Sequence, residues 1–136
     1  MNRFENFMVD WTVDSIGIKP VFQALHADLL KREHVALEWV HRPGVSYSLR
    51  ASHVYRKKAK LFVMVDVIDD DPEQRWLSVC FHKDMIQDPE GRGDLAPGGL
   101  LGTDGYCFDI SEPDEALRDY VMLRIGEAYE TARGGK

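Results

Sequence analysis

Three groups of side chains in this 136-residue chain could bind a ligand or carry out a reaction. The first is the densest basic run, between residues 50 and 60, where cationic side chains surround one tyrosine. Clustered cations attract phosphates and an aromatic ring can stack on a base, so the run predicts a ligand-binding connection or a weak nucleic-acid-binding module. A solvated connection whose lysines prevent sheets from pairing edge to edge is the alternative. The run contains Arg50, His53, Tyr55, Arg56, Lys57, Lys58 and Lys60.

The second group lies in a glycine-rich stretch between Asp88 and Asp109. Glycines allow backbone amides to approach an anion, and carboxylates at irregular spacing could hold a hard cation, although no Walker or EF-hand spacing is present. Long loops in small domains are often functional, but an ordered structural loop or a partner contact is the alternative. We take Gly98, Gly99 and Asp104 as its candidate ligand-binding residues.

The third group is a possible reactive cluster of Cys80, His82 and Asp109. Cys80 and His82 share one face of a predicted strand, and Cys107 and Asp109 share one face of another. If the two strands pair, a thiol, an imidazole and a carboxylate could converge as nucleophile, base and orienting group, which is the chemistry of a small enzyme. The alternative is that both cysteines are small buried side chains without reactivity.

No pattern in the sequence indicates a metal or a cofactor. The other histidines lack HExxH or comparable spacing, and two isolated cysteines cannot supply a four-ligand zinc site. The acidic cluster from Asp66 to Glu73 could hold a divalent ion, but a solvated turn explains it more simply.

Composition indicates one globular domain, with 44% apolar residues, 29% charged residues and a formal net charge of -6. The negative charge disfavours nucleic acid outside the basic run. The N-terminal residues contain no signal-peptide run, and no stretch is long and apolar enough to span a membrane. Two cysteines without a disulfide framework suggest reduced thiols in a cytoplasmic protein.

Hydrophobic periodicity predicts two helices and five strands, and leaves residues 1–17 ambiguous between helix and strand. Pro20 suits a first helical turn, and Ser111 to Asp114 carries a capping-box pattern before the closing helix. The run 61–68 is apolar on both faces and predicts an interior strand. The predicted strands are 35–40, 45–50, 61–68, 76–81 and 106–110, the predicted helices are 20–32 and 111–133, and a surface loop is expected at 85–103.

This order predicts an α+β domain with a mainly antiparallel sheet of about five strands, and helices near both ends of the chain packed on one face. The order, together with Glu127-Ala128-Tyr129-Glu130 on the closing helix, is similar to the small YjbR-like and YdhG-like α+β domains. Many such domains have no established activity, so the resemblance implies a fold rather than a function. It assigns no functional residue to this chain.

We therefore expect a noncatalytic cytoplasmic domain that binds a ligand or a protein, with the small enzyme and the nucleic-acid-binding module as alternatives. We also expect a homodimer, because large aromatic side chains in or beside the strands exceed what one small core can bury. A monomer is the alternative, with the N-terminal segment covering them. The aromatic residues are Trp39, Tyr47, Tyr55 and Trp76.

Overall fold

A computed structural model describes residues 2–54 and 60–134, which form a six-stranded sheet and three α-helices. A short 3-10 turn, Lys83–Met85, follows the fourth strand. The helices are α1 (Arg3–Asp10), α2 (Lys19–Leu30) and α3 (Glu115–Arg133), and the strands are β1 (Val35–Arg42), β2 (Ser46–His53), β3 (Lys60–Ile68), β4 (Trp76–His82), β5 (Asp94–Leu100) and β6 (Thr103–Ile110).

All neighbouring strands of the sheet are antiparallel, in the order β1-β2-β3-β4-β6-β5. β3 lies between β2 and β4, and Val63, Val65 and Val67 are fully buried. The prediction of an interior strand at 61–68 is therefore confirmed. The α+β class and the antiparallel sheet are confirmed as well, although the sheet has six strands rather than five.

The additional strand is β5, which occupies part of the expected surface loop. Among the described strands it pairs only with β6, from Asp94 opposite Cys107 to Leu100 opposite Thr103. An edge strand tolerates Pro97, because a proline that donates no hydrogen bond can face away from the neighbouring strand. The pairing shifts register between Ala96 and Leu100, where Gly98 has a φ of 65°.

The ambiguous N-terminal segment begins with a helix. The Asn2 side chain accepts a hydrogen bond from the Glu5 backbone N–H, and the Glu5 side chain accepts one from the Asn2 N–H, which together form a capping box. After α1 the chain buries Trp11, which is 1% exposed. Lys19 fixes the entry to α2, because its Nζ donates to the carbonyl oxygens of Met8 and Trp11, each at 2.8 Å.

The main hydrophobic core lies between one face of the sheet and the three helices. Phe22 and Leu25 of α2 and Val121 and Ile125 of α3 belong to the same buried cluster as the valines of β3. The prediction that the helices near both chain ends pack on one face is confirmed, and α1 joins them. No helix among the described residues is long and apolar enough to cross a membrane.

Helix α1 covers two of the aromatic side chains that motivated the homodimer prediction. The ring centroids of Phe4 and Trp39 are 5.0 Å apart, and those of Phe7 and Tyr47 are 4.2 Å apart. The alternative, in which the N-terminal segment covers these rings within one chain, is what the structure shows for Trp39 and Tyr47. Trp76 is half-buried on the other face, and Tyr55 lies outside the described residues.

We call the sheet face opposite the helices the open face. Strand register places the side chains of Arg50, Met64 and Cys80 in one row across it, and those of Ser48, Asp66 and Ser78 in the next. The end of this face near the β5–β6 hairpin carries a small apolar cluster of Met64, Cys80 and the fully buried Leu100. The remainder is a mixture of polar, charged and half-buried apolar side chains.

Candidate functional site

One end of the sheet brings together segments that are far apart in the sequence. β2 ends there at His53, β3 begins at Lys60, β4 ends at His82 and β6 begins at Thr103. A cleft of about 510 Å³ opens at this end. We call it the sheet-end cleft, and its lining residues are His82, Lys83, Asp84, Thr103 and Asp104.

His82 is held in the cleft by Thr103, whose Oγ1 lies 3.2 Å from His82 Nδ1. The Thr103 hydroxyl has one proton, which it donates to the Leu100 carbonyl oxygen at 2.8 Å. His82 Nδ1 must then carry a proton and donate to Thr103, which leaves Nε2 as a hydrogen-bond acceptor. The sequence alone does not indicate this tautomer, because it depends on a neighbour 21 positions away.

The electrostatics of the cleft keep His82 in its neutral form. Burial lowers the pKa of His82, Lys60 lowers it further, and Asp84 opposes both effects. Lys60 and Lys83 contribute two positive charges near the imidazole, while Asp84 and Asp104 contribute two negative charges. The cleft therefore offers a neutral acceptor, cations and carboxylate acceptors to a polar molecule.

The glycine-rich candidate residues lie beside this cleft. The Gly98 backbone N–H donates to Asp104 Oδ1 at 3.2 Å, so Asp104 holds the β5–β6 hairpin while also lining the cleft. Gly98 and Gly99 are exposed in the hairpin. A Cβ at position 99 would lie 2.8 Å from Ala96 Cβ, so Gly99 is required by the bend of the strand.

The structure separates the residues of the basic run that it describes. Arg50 lies on the open face and donates from Nε to Ser48 Oγ at 3.2 Å, whereas His53 lies on the helix side and is only 3% exposed, with its ring 5.3 Å from that of Tyr129. A surface ligand cannot reach both, so the two do not form one site. Tyr55, Arg56, Lys57 and Lys58 lie outside the described residues.

The proposed reactive cluster does not assemble. Cys80 and Cys107 lie directly opposite each other on β4 and β6, with Cα atoms 4.1 Å apart, and form a disulfide bond. The expectation of reduced thiols is wrong for this structure, and Cys80 has no thiolate to act as a nucleophile. His82 lies opposite Gly105 and Asp109 opposite Ser78, so about 13 Å of strand separates their positions.

The Asp88 carboxylate accepts four hydrogen bonds, a structural role that the sequence does not indicate. The donors are the Tyr106 hydroxyl at 2.7 Å, the Tyr120 hydroxyl, and the backbone N–H groups of Arg92 and Gly93, both at 2.9 Å. Desolvation would raise the pKa of Asp88, but these hydrogen bonds hold it far below its usual range. All of its partners belong to the protein, so Asp88 anchors the loop before β5.

Two carboxylates of the acidic cluster between Asp66 and Glu73 accept hydrogen bonds from nearby protein groups. Asp69 accepts a hydrogen bond from Arg75 Nε at 2.7 Å and one from the Gly44 backbone N–H at 2.8 Å, and Asp71 accepts one from the Glu73 N–H. Within residues 2–54 and 60–134, no group of three or more His, Cys, Asp or Glu side chains is placed to hold a metal ion.

A second cavity, of about 370 Å³, lies between α1, α2 and the β1 edge. Phe4, Leu37, Trp39 and Leu49 supply apolar lining. His26 packs against Phe4 with ring centroids 4.6 Å apart and ring planes tilted by 42°. Burial lowers the pKa of His26. Arg3 and Glu38 also line this groove, but none of the described residues of the basic run or of the glycine-rich stretch does.

Comparisons with protein-family models, with curated proteins and with solved structures find no match for this chain. The resemblance to YjbR-like and YdhG-like domains therefore stays a prediction. Function has to be argued from the geometry of the chain's own residues.

Proposed function

We propose that this chain is a noncatalytic binding domain whose ligand occupies the sheet-end cleft. The observation that supports the proposal is the meeting, around one cleft of about 510 Å³, of the β4 end and the β5–β6 hairpin, with Lys60 at the β3 start within electrostatic reach of His82. These are the segments that adjoin the basic run and the glycine-rich stretch. The volume is in the range of pockets that bind small molecules.

The lining chemistry indicates the class of ligand. His82 Nε2 accepts a hydrogen bond, as do the carboxylates of Asp84 and Asp104, so hydroxyl groups would be recognised. Lys83 lines the cleft and Lys60 lies within electrostatic reach of His82, so one anionic group would be attracted. We infer a small hydroxylated molecule with a single phosphate or carboxylate.

The alternatives have less support. A thiol-based enzyme would require Cys80 as a free thiolate, which the disulfide removes. A nucleic acid would meet Asp84 and Asp104 in the same cleft, and the net charge of -6 opposes polyanions at long range. A cytoplasmic location stays a prediction, and the disulfide weakens the cysteine argument for it.

Lys83→Glu should weaken binding of ribose 5-phosphate by about tenfold or more, because it replaces the attracting charge with a repelling one. Backbone amide chemical shifts measured by NMR during titration would report both the affinity and the location. We expect the shifts of His82, Thr103 and Asp104 to move, with weaker effects from ribose or inorganic phosphate alone. Lys31→Glu, an exposed change of the same charge after α2, should leave the affinity unchanged.

Three results would contradict the proposal. One is a titration in which ribose 5-phosphate moves no signal of the cleft. Another is equal weakening by Lys31→Glu and Lys83→Glu, which would indicate a general charge effect. The third is stronger binding of a single-stranded decanucleotide than of the sugar phosphate, which would favour the nucleic-acid-binding module.

A further inference from the structure

The two edge strands of the sheet, β1 and β5, differ in how they are protected against further pairing. β5 contains Pro97, and its pairing with β6 shifts register. A proline and an irregular ladder both hinder an edge strand from accepting another strand. β1 has neither, because its eight residues pair with β2 without a break from Val35 to Arg42. β1 is therefore the edge that can accept another strand.

The main-chain groups on the outer side of β1 belong to its odd-numbered residues. The Arg42 carbonyl oxygen accepts a hydrogen bond from the Val45 N–H at 2.9 Å, so the main-chain groups of Arg42 point toward β2. Because successive residues of an antiparallel strand alternate in this direction, the other even-numbered residues of β1 also point toward β2. Within residues 2–54 and 60–134, no hydrogen bond reaches the outward N–H and C=O groups. These groups belong to Leu37, Trp39 and His41.

We propose that a second copy of this chain pairs its β1 antiparallel with β1 of the first, so that the two sheets become one. The two-fold axis is perpendicular to the sheet and passes between the two copies of Val40. Trp39 of each copy then lies opposite His41 of the other, and each such pair exchanges both of its N–H···O=C hydrogen bonds. Main-chain groups that are unpaired in one copy are thus satisfied by the other, as in recognition by strand addition.

The charged residues of β1 select this register. Glu38 and Arg42 are exposed, and neither forms an ion pair with another described residue. With the axis at Val40, Glu38 of each copy lies opposite Arg42 of the other, in a non-hydrogen-bonded pair with Cβ atoms about 5 Å apart. An axis at Glu38 or at Arg42 would pair like charges. An axis at Trp39 or at His41 would place both charges opposite uncharged residues. A two-fold interface must be self-complementary, and the β1 charges are so in one register.

The groove of about 370 Å³ beside β1 supports the same occupant. Leu37 and Trp39 line it from the helix side of the strand and Glu38 lines it from the open face, so it opens at the edge of β1. The proposed register places Pro43 of the second copy opposite Leu37, and His41 opposite Trp39. Leu37 and Trp39 are only half-buried in one copy, and the second copy would cover them.

Sedimentation equilibrium of the full chain between about 1 µM and about 1 mM would test the proposal by mass action. The average mass should rise from 15.6 kDa to twice that value and stop there, because the edges left free are the two β5 strands with Pro97. Amide hydrogen exchange measured by NMR should slow with concentration at Trp39 and His41. It should stay unchanged at Val40, whose N–H points toward β2 in the single chain.

His41→Pro should abolish association, because it removes an outward N–H while leaving the ladder between β1 and β2 intact. His41→Ala is the matched control, since it also loses the imidazole but keeps the N–H, and it should associate like the wild type. Glu38→Arg and Arg42→Glu should each weaken association about tenfold or more, because each places like charges opposite each other twice. The double variant Glu38→Arg/Arg42→Glu should restore it at an unchanged net charge.

Far-ultraviolet circular dichroism should show that all variants are folded. A monomer mass up to the highest concentration overturns the proposal, and so does a mass that grows beyond the dimer. Equal association of His41→Pro and His41→Ala would place the interface elsewhere. A double variant that associates no better than the single variants would contradict the register. The ribose 5-phosphate titration reports on the sheet-end cleft and is independent of these outcomes.

Discussion

Asp66 shows how a single residue can depart from what its strand predicts. The other residues of β3 between Leu61 and Ile68 are apolar, yet this carboxylate lies partly buried on the open face. Burial raises the pKa of Asp66, and the Ser48 hydroxyl together with the charges of Arg50 and Arg42 only partly offset that effect. An ionised Asp66 is therefore less favourable in the folded chain than in the unfolded chain.

Asp66→Asn should be more stable than the wild type in dilute solution, and this difference in the free energy of unfolding should grow as pH rises. A carboxyl whose folded pKa is raised contributes stability below its unfolded pKa, near 3.8, and loses that contribution as pH rises through the folded value. The free energy of unfolding, measured with urea at pH 4 and pH 7, should favour the variant more at pH 7, by an amount of the order of 1 kcal/mol. The exposed change Asp70→Asn is the control, and an advantage that does not grow with pH would contradict the prediction.

Helix α1 is the element that completes the core, although it has only eight residues. Phe7 packs between Trp11 and Tyr47, and the Arg75 guanidinium lies 5.0 Å from its ring centroid. Most of the stability of so short a helix must come from this packing rather than from its own propensity.

Phe7→Ala should lower the free energy of unfolding by about 3 kcal/mol or more, because it leaves a cavity beneath the helix. Val9→Ala in the same helix is the matched control: Val9 is 58% exposed, so its loss should change stability by less than about 0.5 kcal/mol. Urea unfolding followed by tryptophan fluorescence would measure both. Equal effects of the two substitutions would show that α1 does not pack as described.

Elements whose apolar residues recur with a clear period could be predicted from the sequence. An element that is a strand because of its pairing with another strand could not. The run 61–68 predicted an interior strand because its two faces are both apolar, and α2 was predicted at 20–32 and spans Lys19–Leu30. β5 was missed because Pro97, Gly98 and Gly99 are typical of loops, and only β6 on one side makes this segment a strand. α1 could have been found from the Asn2 and Glu5 capping pair.

At the scale of the whole molecule, the two faces of the sheet differ in how much apolar side chain they bury. The helix face holds the large core, whereas the open face holds a small apolar cluster. The sequence contained His82 and Asp104 as candidates in separate groups, but their meeting at one cleft depends on the register of β4 with β6. Neither residue type nor local spacing specifies that register.

The Cys80–Cys107 bond also makes residues 80–107 a covalently closed loop that contains β5 and the Asp88 anchor. If a site-specific protease sequence were inserted at Gly91, an exposed turn position with a φ of 63°, a single cut there would open the polypeptide without releasing either fragment. The cut protein should migrate on a denaturing gel as one band without reductant and as two bands after thiol treatment. Two bands in the absence of reductant would show that the cysteines are not joined. The segment beside the proposed ligand cleft can thus be nicked while both halves of the chain remain one molecule.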